Sequence, residues 1–217
     1  MNVYFLPGIG ADHRLFTHIT LPSGFKIQYL DWIDFKEGET IPVYAARMAD
    51  RINKQEKFIL IGVSLGGMVG VEIAKITSPV CTIIIGSVPI ARHLPHYYQY
   101  AKKTGLQKLL PPEFYKLATI VRHLFTIKGK VNRRLLRRMI YDGDRRFISW
   151  AIDAVLRWDN DTVPQPLIHI HGTNDPVLPV RFTSPHHLIK GGHLLVINQY
   201  QEVNTLLGAL LAKMTDK

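Results

Sequence analysis

Residues Gly62-Val63-Ser64-Leu65-Gly66-Gly67 set one serine among three glycines. Phe58-Ile59-Leu60-Ile61 before them is a short apolar run, the pattern of a strand buried on both faces. After them Met68, Val69, Val71, Glu72, Ile73 and Ala74 read as a helix that is apolar nearly all round. Strand, tight turn and helix with a serine at the apex form a G-x-S-x-G nucleophile elbow. Such a turn strains the serine backbone and lifts its hydroxyl clear of the sheet, and Gly62 and Gly66 spare it the collision of neighbouring side chains. It also aims the first amides of the helix, that of Leu65 included, at the place where negative charge would develop.

A serine hydroxyl is a weak nucleophile near neutral pH and needs a base to take its proton. That base, usually histidine, needs an acid to fix its tautomer and to stabilise the imidazolium. In open parallel sheets such groups sit on loops at the carboxyl ends of strands. Asp175 stands in such a place, in His171-Gly172-Thr173-Asn174-Asp175-Pro176 just beyond a late apolar run. An aspartate before proline also suits an Asx-type turn. Asp153, Asp159 and Asp161 are weaker candidates because they precede the strand that should present the acid. His193 follows Gly191-Gly192, a pair that lets a loop carry an imidazole back over the sheet edge. His169, His171, His186 and His187 are assigned to strands.

The elements needed to position these groups alternate along the chain. Val3 to Leu6 reads as a first strand, ended by Pro7-Gly8-Ile9-Gly10, and Asp12 can cap a short helix through Phe16 and Ile19. Phe25 to Leu30 reads as a second strand, and Pro42 to Asn53 as an amphipathic helix with proline in its first turn. Val80 to Ile85 is a further buried run that holds the only cysteine, Cys81, read as an inert core thiol. Strand character returns at Leu167 to His171 and at His186 to Ile189, and Leu194 to Met214 closes the chain as a helix. Strands and helices in this alternation predict a parallel sheet with crossover helices, in one domain over 1–217.

Four stretches together resemble the α/β-hydrolases: Leu6-Pro7-Gly8-Ile9-Gly10, the Ser64 elbow, His171 to Asp175, and Gly191-Gly192-His193. The order Ser64, Asp175, His193 is the order that family uses. The resemblance implies an α/β fold with a mostly parallel sheet of about six strands, helices on both faces and a helical cap inserted over 90–163. It implies that Ser64 attacks a carbonyl carbon, that His193 removes and later returns its proton, and that Asp175 orients His193. The backbone N–H groups of Ile9 and Leu65 would form the oxyanion hole. Two departures stand out. Pro7 occupies the place where many members carry histidine before the glycine, which removes a supporting hydrogen bond, and the chain opens on what would be the family's third strand.

Charge narrows the partners. The net charge is +10. From Arg92 to Arg146 there are fourteen Lys/Arg against three acids, Glu113, Asp142 and Asp144, so all of the excess falls inside the expected cap. The same segment is helical in pattern and rich in aromatics, among them Tyr97, Tyr98, Tyr100, Phe114, Tyr115, Phe125, Phe147 and Trp150. A solvated basic surface and a pocket roof with a cationic rim both fit. A basic rim suits an acidic acyl-carrier protein better than nucleic acid, for which no module is visible. No apolar run reaches the roughly 20 residues of a membrane span, strand-like sequence begins at Asn2, and the expected compartment is the cytoplasm. No metal cluster or cofactor motif is visible. The expected activity is a serine esterase acting on a small ester through an acyl-enzyme. Its alternatives are a thioesterase, an acyl-carrier-protein methyl esterase, or a lyase or C–C hydrolase with the same three residues, or a non-catalytic binding protein on the same fold.

Overall fold

Alternate residues along the apolar strands serve two different cores, and this alternation makes the sheet the middle layer of three. In the computed structural model, which describes residues 1–98 and 130–214, six strands lie in the order β2-β1-β3-β4-β5-β6. They are β1 (Asn2–Leu6), β2 (Lys26–Tyr29), β3 (Phe58–Val63), β4 (Cys81–Ile85), β5 (Leu167–Gly172) and β6 (His187–Ile189), and every neighbouring pair is parallel. Tyr4, Leu6, Leu60 and Ile84 point into one core, and Val3, Phe5, Ile59, Ile61, Ile83 and Ile85 into the other. Central strands buried on both faces need continuous apolar sequence, which Phe58 to Ile61 and Cys81 to Ile85 supply.

Helices α1 (Ile41–Ala49) and α2 (Leu65–Ile76) cover the first face with α4 (Arg145–Arg157). The second face is covered by a short 3₁₀ helix at His13–Phe16, by α3 (Lys130–Asp142) and by the closing segment. Asp12 caps the 3₁₀ helix through its Oδ1, which accepts from the Arg14 N–H at 2.9 Å. Several boundaries differ from the sequence reading, three of them for a visible reason. The second strand is shorter at both ends, because as an edge strand it pairs only with β1. The amphipathic helix stops at Ala49, where Arg51 and Ile52 bond back to Met48 and Ala49 in tighter turns. The closing helix is two, α5 (Leu195–Asn198) and α6 (Tyr200–Ala212), broken at Gln199, whose side chain packs beneath Gly191.

Of the segment 90–163 expected to form a cap, residues 99–129 lie outside the described residues, and with them Tyr100, Phe114, Tyr115 and Phe125. The described helices α3 and α4 both pack down onto the sheet layer. Trp150 of α4 inserts between Tyr44 and Phe35, with ring centres 4.6 and 5.5 Å away, and its indole N–H donates to the Glu39 carbonyl at 2.9 Å. Leu136, Met139 and Ile140 of α3 are buried, while Arg133, Arg134, Arg137 and Arg138 on the same helix are exposed.

Glu72 is the exception to the apolar character of α2, and it is buried. Its carboxylate accepts from the Trp158 indole at 2.8 Å and from the Lys75 ammonium at 2.8 Å, so the charge is paired and bonded as a buried charge must be. Trp158→Phe removes one of these donors and keeps the ring. The expected loss is about 1–3 kcal/mol of unfolding free energy, read from urea denaturation.

Candidate active site

Strand order reverses direction between β1 and β3, so the crevice above their carboxyl ends is the topological switch point where open α/β sheets place ligands. The loop Pro7 to Gly10 leaves β1 there, and Ser64 stands at the end of β3 beside it. Ser64 has φ 54° and ψ −120°, the one positive φ outside glycine among the described residues. The residue is half-buried, its N–H donates to the Ile85 carbonyl at 3.1 Å, and its carbonyl accepts from the Ser87 hydroxyl at 2.7 Å.

The glycines around Ser64 are required by close packing, against backbone at Gly62 and Gly66 and against a buried side chain at Gly67. A Cβ on Gly62 would drive into the Gly66 carbonyl, one on Gly66 into the Leu6 and Pro7 carbonyls, and one on Gly67 into Ser87. The crowding that excludes side chains is therefore against the turn's own far side and the β1 loop, rather than against the serine itself. Gly8 lies so close that a Cβ there would sit 3.4 Å from the Ser64 Cβ and 4.0 Å from its Oγ.

His193 and Asp175 reach this place from the far end of the chain. Ser64 Oγ is 2.9 Å from His193 Nε2, and His193 Nδ1 is 2.8 Å from Asp175 Oδ2. Both partners are buried. Asp175 divides its two oxygens: Oδ1 accepts from the Val177 and Leu178 N–H groups at 2.8 and 2.9 Å, which makes the Asx-type turn, and Oδ2 faces the imidazole. The turn holding Asp175 is tied to the Gly191-Gly192 loop by Asn174 N–H to the Gly191 carbonyl at 2.9 Å. A Cβ on Gly172 would strike the Gly191 and Gly192 carbonyls, so glycine at 172 lets these two loops cross in contact.

Asp175 accepts, so His193 must donate through Nδ1, and its Nε2 then presents a lone pair toward the Ser64 hydroxyl. Burial alone would raise the Asp175 carboxyl; the charge and hydrogen bond of His193, with the Leu178 amide, outweigh it and hold the group below the usual carboxylate range. Leu65 is the first residue of α2, so its N–H is one of those the helix cannot satisfy itself. Ile9 follows Gly8 in the β1 loop, against which the indole N–H of Trp32 is set, donating to the Gly8 carbonyl at 3.2 Å.

Other groups in the sequence reading fall elsewhere. Asp153 pairs with Arg157 along α4, and Asp161 accepts from Thr162. His186 accepts from the His169 N–H through Nδ1. His169 and His171, assigned to a strand, prove to matter behind the site. His171 Nε2 is 2.7 Å from the Leu178 carbonyl and 3.4 Å from Asp175 Oδ2, and its Nδ1 is 3.0 Å from His169 Nε2. A neutral His171 can bond Leu178 only through Nε2–H, which leaves Nδ1 to accept from His169. The period-2 alternation that puts both rings on one face of β5 was the only sequence signal for this. Ser87 and Gly86 also escaped the sequence reading. Ser87 braces the elbow from below, and Gly86, with φ 54°, leaves room beside the His193–Asp175 pair. Among the described residues no group of three or more His, Cys, Asp or Glu is placed to hold a metal ion, and no helix is long and apolar enough to cross a membrane.

No protein-family model matches the sequence, and no curated protein sequence does. Solved structures do match over nearly the whole length. A thermophilic esterase from Thermogutta terrifontis, with malate bound, superposes with a TM-score of 0.78 at 18% identity, covering 99% of this chain and 90% of that one. MenH from S. aureus gives 0.74 at 14% identity over 99% and 94%, and an esterase from Exiguobacterium antarcticum gives 0.75 at 14% over 99% and 92%. The chain has the α/β-hydrolase fold.

Burial pushes His169 down to about 3, with His171 adding to the effect, and burial likewise lowers His171 against the opposing pull of the Leu178 carbonyl and Asp175. Histidines held neutral in the folded state take up protons on unfolding. Their contribution is therefore complete above about pH 6.5 and is lost as pH falls below it, at up to about 1.4 kcal/mol per pH unit for each ring. Urea unfolding between pH 7 and 5 is expected to show this decline. In His169→Gln, whose amide can still donate to His171, the slope is expected to flatten by about one proton.

Proposed function

We propose that this chain is a serine hydrolase that cleaves small or medium carboxylic esters through an acyl-enzyme intermediate. The observation that carries the reading is the unbroken line of hydrogen-bonding contacts from Ser64 Oγ through His193 to Asp175. Esterases among the structural neighbours support it at the level of reaction class. His193 Nε2 takes the Ser64 proton as the oxygen attacks the carbonyl carbon. The imidazolium that forms is stabilised by Asp175 and returns its proton to the departing alkoxide. Water, deprotonated by the same nitrogen, then releases the acid and restores Ser64. The N–H groups of Leu65 and Ile9 receive the oxyanion in both halves, each worth about 3–4 kcal/mol of transition-state stabilisation. No step in this sequence calls for a metal or a cofactor.

A fluorophosphonate probe is expected to label the wild-type protein, and Ser64→Ala to abolish labelling together with p-nitrophenyl ester turnover, a loss of about 10⁴-fold or more. Asp175→Asn leaves the imidazole with the wrong tautomer and is expected to lower kcat by about 10³–10⁴-fold. Folded wild-type protein that takes no label would turn the reading toward a binding protein on this fold.

A second reading keeps the same chemistry and changes the donor. The exposed row Arg133, Arg134, Arg137 and Arg138 favours an acyl group delivered by an acidic acyl-carrier protein, as an ester or thioester. Turnover of the carrier-bound substrate is then expected to fall steeply as salt is raised, while turnover of a free p-nitrophenyl ester stays flat. Equal salt response of the two substrates rejects the carrier.

A further inference from the structure

The oxyanion hole of the proposed reaction uses the N–H of Ile9, and that N–H belongs to the same peptide unit as the Gly8 carbonyl. The unit is planar and trans. Its oxygen and its hydrogen therefore point in opposite directions, and whatever fixes one fixes the other. Two donors hold the oxygen: the Trp32 indole N–H at 3.2 Å and the Ala11 N–H at 3.2 Å. The first comes from the segment after β2, on the side of β1 away from β3, and the second from the loop itself. Without Trp32 the peptide is held only by its own turn.

We propose that Trp32 is a positioning residue for the oxyanion hole, acting through the Gly8–Ile9 peptide. This inference rests on the serine hydrolase reading above. Pro7, next to Gly8, has neither a side-chain donor nor a backbone N–H with which to brace this loop. The indole supplies the missing brace from a different element. Its ring is in turn held by Phe147 of α4 and Tyr44 of α1, with ring centres 5.2 and 6.2 Å away, so two helices orient the donor. The loop has room to need it, because Gly8 and Gly10 carry no side chains to lock the backbone, and Gly10 takes φ 69°. Donation into the carbonyl also polarises the amide and strengthens the opposite N–H as a donor. The same ring lines a cavity of about 540 Å³ together with Gly10, Phe35 and Phe147. A test must therefore remove the N–H and keep an aromatic ring.

Trp32→Phe does this. The expected result with a p-nitrophenyl ester is a fall in kcat of about 10- to 30-fold, less than the 10²–10³ for outright loss of an oxyanion donor, with KM within about twofold. Affinity for a trifluoromethyl ketone, whose adduct with Ser64 carries the oxyanion, is expected to fall by a similar factor. A merely structural role would lower the melting temperature without this division between kcat and KM. If Trp32→Phe does not fold, benzothienylalanine placed at position 32 keeps the bicyclic shape and lacks only the N–H, and the same pattern is expected. Wild-type kcat in either variant, or a loss confined to KM, overturns the inference while Ser64 labelling still stands. Wild-type protein that neither labels nor turns over any ester overturns the underlying reading and this inference together.

Discussion

Backbone packs directly against backbone at the turn after β3, and most of the candidate site depends on it. Ser64 occupies a backbone conformation that costs on the order of 1–3 kcal/mol and persists only where the surroundings enforce it. They do so from three sides. The Gly66 peptide folds back on Gly62, the carbonyls of Leu6 and Pro7 press on Gly66, and Ser87 fills the space below Gly67 while bonding the Ser64 carbonyl. Each contact is against backbone or a fully buried side chain, which cannot yield cheaply. The strain is thus maintained by strands β1, β3 and β4 together. Because β1 takes part, the same contacts that hold the serine also bring the Gly8–Ile9 peptide beside it.

A second constraint is electrostatic. Asp175 is a carboxylate in the interior, and such a group is tolerable only when its oxygens are filled with donors. Two backbone amides occupy one oxygen and His193 the other, while His171, whose N–H goes to the Leu178 carbonyl, lies 3.4 Å from Oδ2. The turn that satisfies Oδ1 is local, whereas the bond to Oδ2 requires a loop from beyond β6. Behind them His171 and His169 remain neutral because burial opposes their charging. Rings held neutral behind the carboxylate bring no second positive charge to it.

The helices between β4 and β5 divide their work by face. The inner faces of α3 and α4 extend the two cores and, through Phe147 and Trp150, set the aromatic surroundings of Trp32 and Phe35. The arginines of α3 stay in solvent. The described arginines of α3 thus lie on the surface, away from the Ser64–His193–Asp175 contacts. A basic exterior and an apolar interior are compatible on one helix because the two sets of residues follow the helical period.

The sequence by itself determined the parallel sheet, the elbow and the order of the three polar residues, because each is written in short-range pattern. Apolar runs of four to six residues fix the buried strands, and a glycine-flanked serine between a strand and a helix has few other uses. The Asx-turn and acid readings of Asp175 looked like rivals from its neighbours alone, yet a carboxylate has two oxygens, and here one closes the turn while the other faces His193. What only the tertiary structure decided are the contacts between segments distant along the chain. Those include the partners that make Gly62, Gly66 and Gly172 necessary, the Ser87 brace, the histidine pair behind Asp175, and the indole of Trp32 on the Gly8 carbonyl. None of these has a local signature, since a hydrogen bond or a steric limit between remote residues depends on where the sheet places them and not on the residues beside them.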